Sequence, residues 1–143
     1  MQVQIAPQER NWAMAAHLSA LVAVAGLPFG HVVGPLVVYL IKAHESEFVA
    51  GHARASLNYQ ITISILTLVG ILAAAGVMMG LIFTGSMVSE HGQFGVGIAA
   101  LWIAVGIAVL VLLLCSLIFI IAGAVAAADG RPYHYPFAIR FLR

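Results

Sequence analysis

The chain is 143 residues long, 63% hydrophobic and only 8% charged, with a mean hydropathy of +1.07; an ordinary soluble domain carries roughly a quarter charged residues. Six Lys and Arg against five Asp and Glu leave a net charge of +1, too small and too dispersed to neutralise a run of phosphates, so the lipid bilayer is the expected partner and nucleic acid is not. The lone cysteine, Cys115, sits inside an apolar run, which excludes an intrachain disulfide and a metal site built on several thiolates.

Residues 1–11 are polar, contain Pro7 and lack a helical period, so they read as a tail. Trp12 marks a headgroup-level anchor. A cleaved signal peptide is disfavoured: Arg10 precedes an apolar stretch that ends in Ala23, Val24 and Ala25, but His17 and Ser19 interrupt it and more membrane segment follows. Residues 12–41 are apolar, and as one helix they would reach about 45 Å, well past a hydrocarbon core of roughly 30 Å. Gly26, Pro28 and Gly30, followed by Gly34 and Pro35, supply the breaks. A short helical hairpin turning near Pro28 is predicted, either re-entrant or thinning the bilayer locally. His17, about one and a half turns beyond Trp12, is expected to meet wet headgroups or a Ser hydroxyl in a structural role.

Residues 44–57 are the densest polar stretch. Ser46 can cap a helix, Glu47 suits its positive end, and Phe48, Val49, Ala53 and Leu57 offer a narrow apolar face, which predicts an amphipathic helix on the cytoplasmic surface. His44, Glu45, Glu47 and His52 make a tempting metal set. A zincin needs His-Glu-x-x-His, however, and Phe48 stands where the second His belongs. His44 and His52 lie about 12 Å apart along a helix, so neither a metal nor another cofactor is expected. Residues 57–83 form an uncharged crossing, 84–95 an outer loop with Glu90, and 96–128 a second long crossing that must tilt or protrude. Asp129 and Gly130 end it. The tail 129–143, punctuated by Pro132 and Pro136, mixes aromatic rings with cations and is placed on the headgroups; Trp12, Arg131, Tyr133, Arg140 and Arg143 are the expected contacts, each cation worth about 1 kcal/mol.

The expected fold is therefore all-α: a polytopic membrane bundle of one helical hairpin and two long transmembrane helices, with cytoplasmic amphipathic segments. Lys42 and Arg54 lie on one side of the 57–83 crossing and the 84–95 loop contains no Lys or Arg, which places both termini in the cytoplasm. Helix contact is expected at the small-residue steps Gly30 and Gly34, Gly76 and Gly80, and more weakly at Ala122 and Ala126. Ser56, Gln60, Ser64 and Thr67 fall along one helical stripe, read as interhelical hydrogen bonding in preference to an aqueous path, since no intramembrane acid or base stands beside them. Ser116 and Cys115 lack a nearby base, and the glycines at 92, 95 and 97 lack the Lys and strand of a phosphate loop. No enzyme is expected.

Four separated segments, "WAMAAHLSAL", "GPLVVYLIK", "ESEFVAGHARASLNYQI" and "YHYPFAIRFL", together resemble the Tic-twenty-like group of small bacterial membrane proteins, a domain-of-unknown-function family (number forty-eight seventy) related to a chloroplast inner-envelope import subunit. The motif residues are Gly34 through Lys42, with Tyr39 in a Trp position; Glu45, Ser46, Phe48 and Val49; Leu57, Asn58, Tyr59 and Gln60; and Tyr135, Pro136, Arg140 and Phe141. Ala50, Gly51 and Ala55 stand where that group often has acids. The resemblance implies a helical bundle with cytoplasmic ends and carries no activity with it. The expected role is a non-enzymatic membrane protein acting through contacts, as a small subunit or assembly partner of a larger complex or as a homo-oligomer. The rival reading is a conduit for a polypeptide or small solute.

Overall fold

A computed structural model describes residues 5–26, 29–87 and 91–143, with all of their side chains except those of residues 24–25, 85–87 and 91–94. The described chain is helical throughout: α1 (Pro7–Leu18), a 3-10 stretch (Ser19–Ala25), α2 (Gly30–Lys42), α3 (Glu47–Met87) and α4 (His91–Ala128).

Helix α1 starts inside the segment read as a tail. Proline at the first helical position has no N–H to leave unsatisfied, and the Glu9 carboxylate accepts the Ala6 N–H at 2.8 Å, placing an acid on the positive helix end. The stretch expected as a hairpin holds α1, the 3-10 stretch and α2; its turn at Pro28 lies outside the described residues. Gly26 (φ 88) closes the 3-10 stretch, and Phe29 (φ 57) opens α2 from the left-handed region. The glycine step of α2 is spent here. A Cβ on Gly30 would stand 2.9 Å from the Ala23 nitrogen, and one on Gly34 would run into the Ser19 backbone.

The surface helix expected over 44–57 and the crossing expected over 57–83 are one helix. It begins at Glu47, where Ser46 Oγ accepts the Val49 N–H at 3.4 Å, and nothing between Glu47 and Met87 breaks it. The expected 84–95 loop shrinks as well: α3 runs to Met87 and α4 starts at His91, while residues 88–90, Glu90 included, lie outside the described residues. Thr84 reads as a loop residue by type but folds its hydroxyl back on the Gly80 carbonyl at 2.9 Å, satisfying it within the helix. Helix α4 ends in a Schellman motif. Gly130 takes φ 71, its N–H reaches Ala127 O at 3.0 Å, and the Arg131 N–H reaches Ala126 O at 2.9 Å.

The chain divides into two units, Met1–Ile63 with Ser116–Arg143, and Ser64–Cys115. The first has a core of Ala16, Val38, Val49 and Ala53, onto which Ala15 and Tyr39 pack. The alanines of α1 let backbones come close; Ala13 and Ala16 are fully buried. The second unit exposes Ile65, Leu66, Leu68, Leu72, Met79, Phe83, Trp102, Ile103, Leu110 and Leu113, among others, on all sides of its helices. Helices Glu47–Thr84 and Gly95–Ala128 are each long and apolar enough to cross a membrane. An uncovered apolar surface on this scale is untenable in water and favourable in lipid.

Candidate functional site

The polar residues of the first unit converge on the N-terminal half of α3. His52, Ser56, Asn58, Tyr59, Gln60 and Thr62 are all buried. Burying so many polar groups is tolerable only when they bond one another, and that is what the end of α4, helix α1 and the 129–143 segment arrange around them.

At the centre, three titratable side chains from three parts of the chain form a line. His17 of α1 is fully buried; its Nε2 lies 2.8 Å from His52 Nδ1 and its Nδ1 lies 2.8 Å from the Tyr135 hydroxyl. The protons run one of two ways. Tyr135 donates to His17 and His17 to His52, or His52 donates to His17 and His17 to Tyr135. The imidazole fits because α4 offers no side chain at that point: a Cβ on Gly123 would come within 2.8 Å of His17 Nδ1. His52 also stands edge-on to Phe48, with ring centroids 4.6 Å apart, and its Nε2 is buried with no hydrogen-bond partner among the described residues.

The 129–143 segment is seated by groups that read backbone. Asn58 Oδ1 accepts the N–H of Phe141 (3.0 Å) and of Leu142 (2.9 Å), and Asn58 Nδ2 donates to the Leu142 carbonyl at 3.0 Å. Thr62 Oγ1 accepts the Ile139 N–H at 3.0 Å and donates to the Asn58 carbonyl at 2.7 Å. Tyr135 stacks on Tyr59 at 4.3 Å and 16°, and the Tyr59 hydroxyl lies 2.9 Å from Ser116 Oγ on α4. Burial pushes the Tyr135 phenol well above its ordinary range, the Ser56 hydroxyl offsetting part of this, and raises Tyr133 more modestly.

A second polar cluster pins the start of α1 to the start of α3. Ser46 Oγ donates to Glu9 Oε1 at 2.6 Å, and this bond, with that from the Ala6 N–H, holds the Glu9 carboxyl below its ordinary range. Lys42 pairs with Glu45 at 2.7 Å and lies over the Trp12 ring, 5.2 Å from its centroid. Arg54 pairs with Glu47. Arg10 reaches the Ala128 carbonyl at 3.4 Å and lies against Gly130.

The candidates read from the sequence separate accordingly. Ser56 and Gln60 are buried in the first unit, whereas Ser64 and Thr67, in the second, are half-exposed. Gly30 and Gly34 make close contacts; around Gly76 and Gly80 a Cβ would meet open space among the described residues. Lys42, Glu45, Ser46, Phe48, Leu57, Asn58 and Tyr135 belong to the clusters or the core, while Pro136 is half-buried and Arg140 and Phe141 are exposed. Arg131, paired with Asp129 at 2.7 Å, and Arg143 are exposed, Trp12 is just over a third exposed and Tyr133 is half-buried. Sequence reasoning missed the alliance of His17, His52 and Tyr135. His52, Ser56 and Tyr59 recur at four and three residues, a signal that α3 turns a polar face inward.

Chemically the site is a hydrogen-bond system that joins His17, His52 and Tyr135 and leaves His52 Nε2 and Ser56 Oγ without a partner among the described residues. Ser116 is engaged with Tyr59, and Cys115 is exposed. The two adjacent imidazoles spend their facing nitrogens on each other, and among the described residues no group of three His, Cys, Asp or Glu side chains is placed to hold a metal ion.

Comparisons with curated proteins and with solved structures return no match. Comparison with protein families overturns the Tic-twenty-like resemblance, because the family that matches is a different one and covers residues 8–142. The motifs that suggested the first family were short and built from residues with general jobs: a Gly-Pro approach to a helix, a Glu-Ser cap, a Leu-Asn turn of helix. The chain belongs to the MamF/MmsF family, the magnetosome magnetite crystal formation protein family.

Proposed function

We propose that the protein serves magnetite crystal formation as a non-enzymatic component of the magnetosome membrane, a small subunit that works through contacts with other membrane proteins. The family match over residues 8–142 carries this reading. The site supports it: the buried polar groups fasten helices and a terminal segment to one another, and Ser116 of α4 is engaged with the Tyr59 hydroxyl. Contact surface is abundant, since the glycines at 76, 80 and 106 leave open, close-approach faces on the apolar helices. Both termini belong in the cytoplasm. Arg10 lies against Ala128 and Gly130, which brings the N-terminal cation to the end of α4 where Arg131 begins the final segment, and one cytoplasmic end for these cations satisfies the positive-inside rule.

The test is deletion of the gene in a magnetosome-forming cell, with magnetite crystals measured by electron microscopy, together with mild-detergent capture after in-cell crosslinking. The expected result is altered crystal size or number and a reproducible crosslinked membrane partner. Unchanged crystals would remove the role, and altered crystals with a chain that crosslinks to nothing would remove the contact mechanism.

A further inference from the structure

His17 and His52 face each other through one nitrogen each at 2.8 Å, a gap that holds a single hydrogen. With both rings neutral, every bond along Tyr135, His17 and His52 is made. A proton added to His17 leaves it donating in both directions, which the geometry accepts, but it places a whole charge in a buried site. Among the described residues no unpaired carboxylate stands beside it to offset that charge, and the only group that favours it is the Arg131 backbone, which acts on His52. Glu9 of α1 is engaged with Ser46, Glu47 of α3 with Arg54, and Asp129 with Arg131. The other charged or titratable groups facing the line are Tyr59 from α3, and Tyr133 and His134 from the final segment, with His134 near enough for its charge to act on His52, while Arg10 of α1 is turned to the Ala128 carbonyl. Helix α4 contributes Gly123 there. A second proton would set two N–H groups against each other across the same gap.

Tyr135 belongs to the segment that Asn58 and Thr62 hold only by its backbone. Gly130, in the left-handed region, ends the helix just before it. Leaving is therefore how the site can admit water to a charged imidazole. We infer that Tyr135, His17 and His52 form an acid-opened clasp, which seats residues 131–143 on α1 and α3 while both imidazoles are neutral and releases them when a proton is taken up. Release uncovers Asn58 and Thr62, whose side chains bond backbone groups of the segment, and Tyr59, on which Tyr135 stacks. Charging of a buried neutral histidine is linked to opening by mass action, so below the ordinary imidazole value of 6.5 the ratio of released to seated segment rises up to about tenfold for each unit the pH falls, for one proton bound.

The experiment places a spin label at Ile139→Cys in a Cys115→Ser chain, in detergent micelles, and follows label mobility from about pH 8 to about pH 4, across the window that opens below the ordinary imidazole value of 6.5 and runs toward the lower value of the seated His17. The Ile139 side chain is exposed and its bond to Thr62 is through the backbone, so the label leaves the seat intact. The expected result is an immobilised label in base and a mobile one in acid, with the tenfold slope absent from the His17→Gln, His52→Gln double variant and kept in His134→Gln. A mobility flat across the range overturns the clasp, as does an unchanged slope in the double variant or its loss in His134→Gln. Should the double variant not seat the segment at any pH, Tyr135→Phe decides. It keeps both imidazoles and the stack on Tyr59, and the opening midpoint must move to higher pH; an unmoved midpoint overturns the proposal.

Discussion

Residues 47–63 and 64–87 belong to the same helix and follow opposite rules. The first part buries His52, Ser56, Asn58, Tyr59, Gln60 and Thr62, and spends their hydrogen bonds on α1, on the end of α4 and on the final segment. The second turns Ile65, Leu66, Leu68, Val69, Ile71 and Leu72 outward. The 41 residues of α3 are roughly twice what a crossing of the hydrocarbon core requires, so its sequence has room for both environments. The contrast teaches what holds each unit. The first is a specific polar assembly in which individual hydrogen bonds and glycines matter. The second is solvated by lipid and tolerates any change that stays apolar.

The largest effect should come from breaking the lipid rule. Leu72 is 63% exposed, and Leu72→Arg would put a cation against acyl chains at a cost of about 2.5–3.5 kcal/mol. Loss of carbonate-resistant membrane association is expected for that variant and not for His44→Arg, on an exposed turn of the first unit. Equal retention of both would show that residue 72 does not face lipid.

Two glycine steps then sharpen the comparison. Gly34→Ala drives a methyl into the Ser19 backbone and should cost about 2–3 kcal/mol in denaturation of the detergent-solubilised protein. Gly76→Ala meets open space and should be neutral or gain up to about 1 kcal/mol in helix propensity. A large loss at Gly76 in membranes but not in dilute micelles would reveal a second chain packed on that face. Next comes Asn58→Leu, which strips three backbone bonds from Phe141 and Leu142 and should cost about 2 kcal/mol, read as faster amide exchange at those two residues. Tyr59→Phe removes only the hydroxyl bonded to Ser116 and should cost about 1 kcal/mol.

Composition and uninterrupted apolar length made the class legible: 63% hydrophobic residues and two long runs point to lipid, and the helices Glu47–Thr84 and Gly95–Ala128, each long and apolar enough to cross a membrane, contain those runs. Boundaries were less legible, because the loop signals at Thr84 and Gly95 are weak against a helix that can absorb a threonine hydroxyl and lose little at a glycine bathed in lipid. The buried site was mostly illegible. His17, His52 and Tyr135 are separated by 35 residues or more, and no local period brings them together; only the fold does. Asn58 was visible as a motif residue, but its pairing with residue 142 depends on the Gly130 turn. The family, too, lay beyond short motifs and needed the whole span 8–142.

The smallest expected effect lies at the start of α1, where the first unit meets water. The Glu9 carboxylate accepts from Ser46 and from the Ala6 N–H, and its pKa is held below the ordinary 4.5, first by the Ser46 hydroxyl and then by that amide. A carboxyl depressed in the folded state stabilises it fully above its unfolded value and loses that contribution as the pH falls through the folded one. The first turn of α1 should therefore fray only below about pH 4.5, seen as faster exchange of the amides of residues 6 and 8–10 after correction for intrinsic rates. Ser46→Ala should move the onset of fraying upward toward 4.5, and Glu9→Gln should abolish its pH dependence while leaving the turn weakened throughout. Because Glu9 is solvent-facing, added salt should weaken the effect, whereas the bonds of Asn58 and Tyr59 should not respond. A salt response at Asn58 as strong as that at Glu9 would erase the distinction between a dry seat and a wet rim.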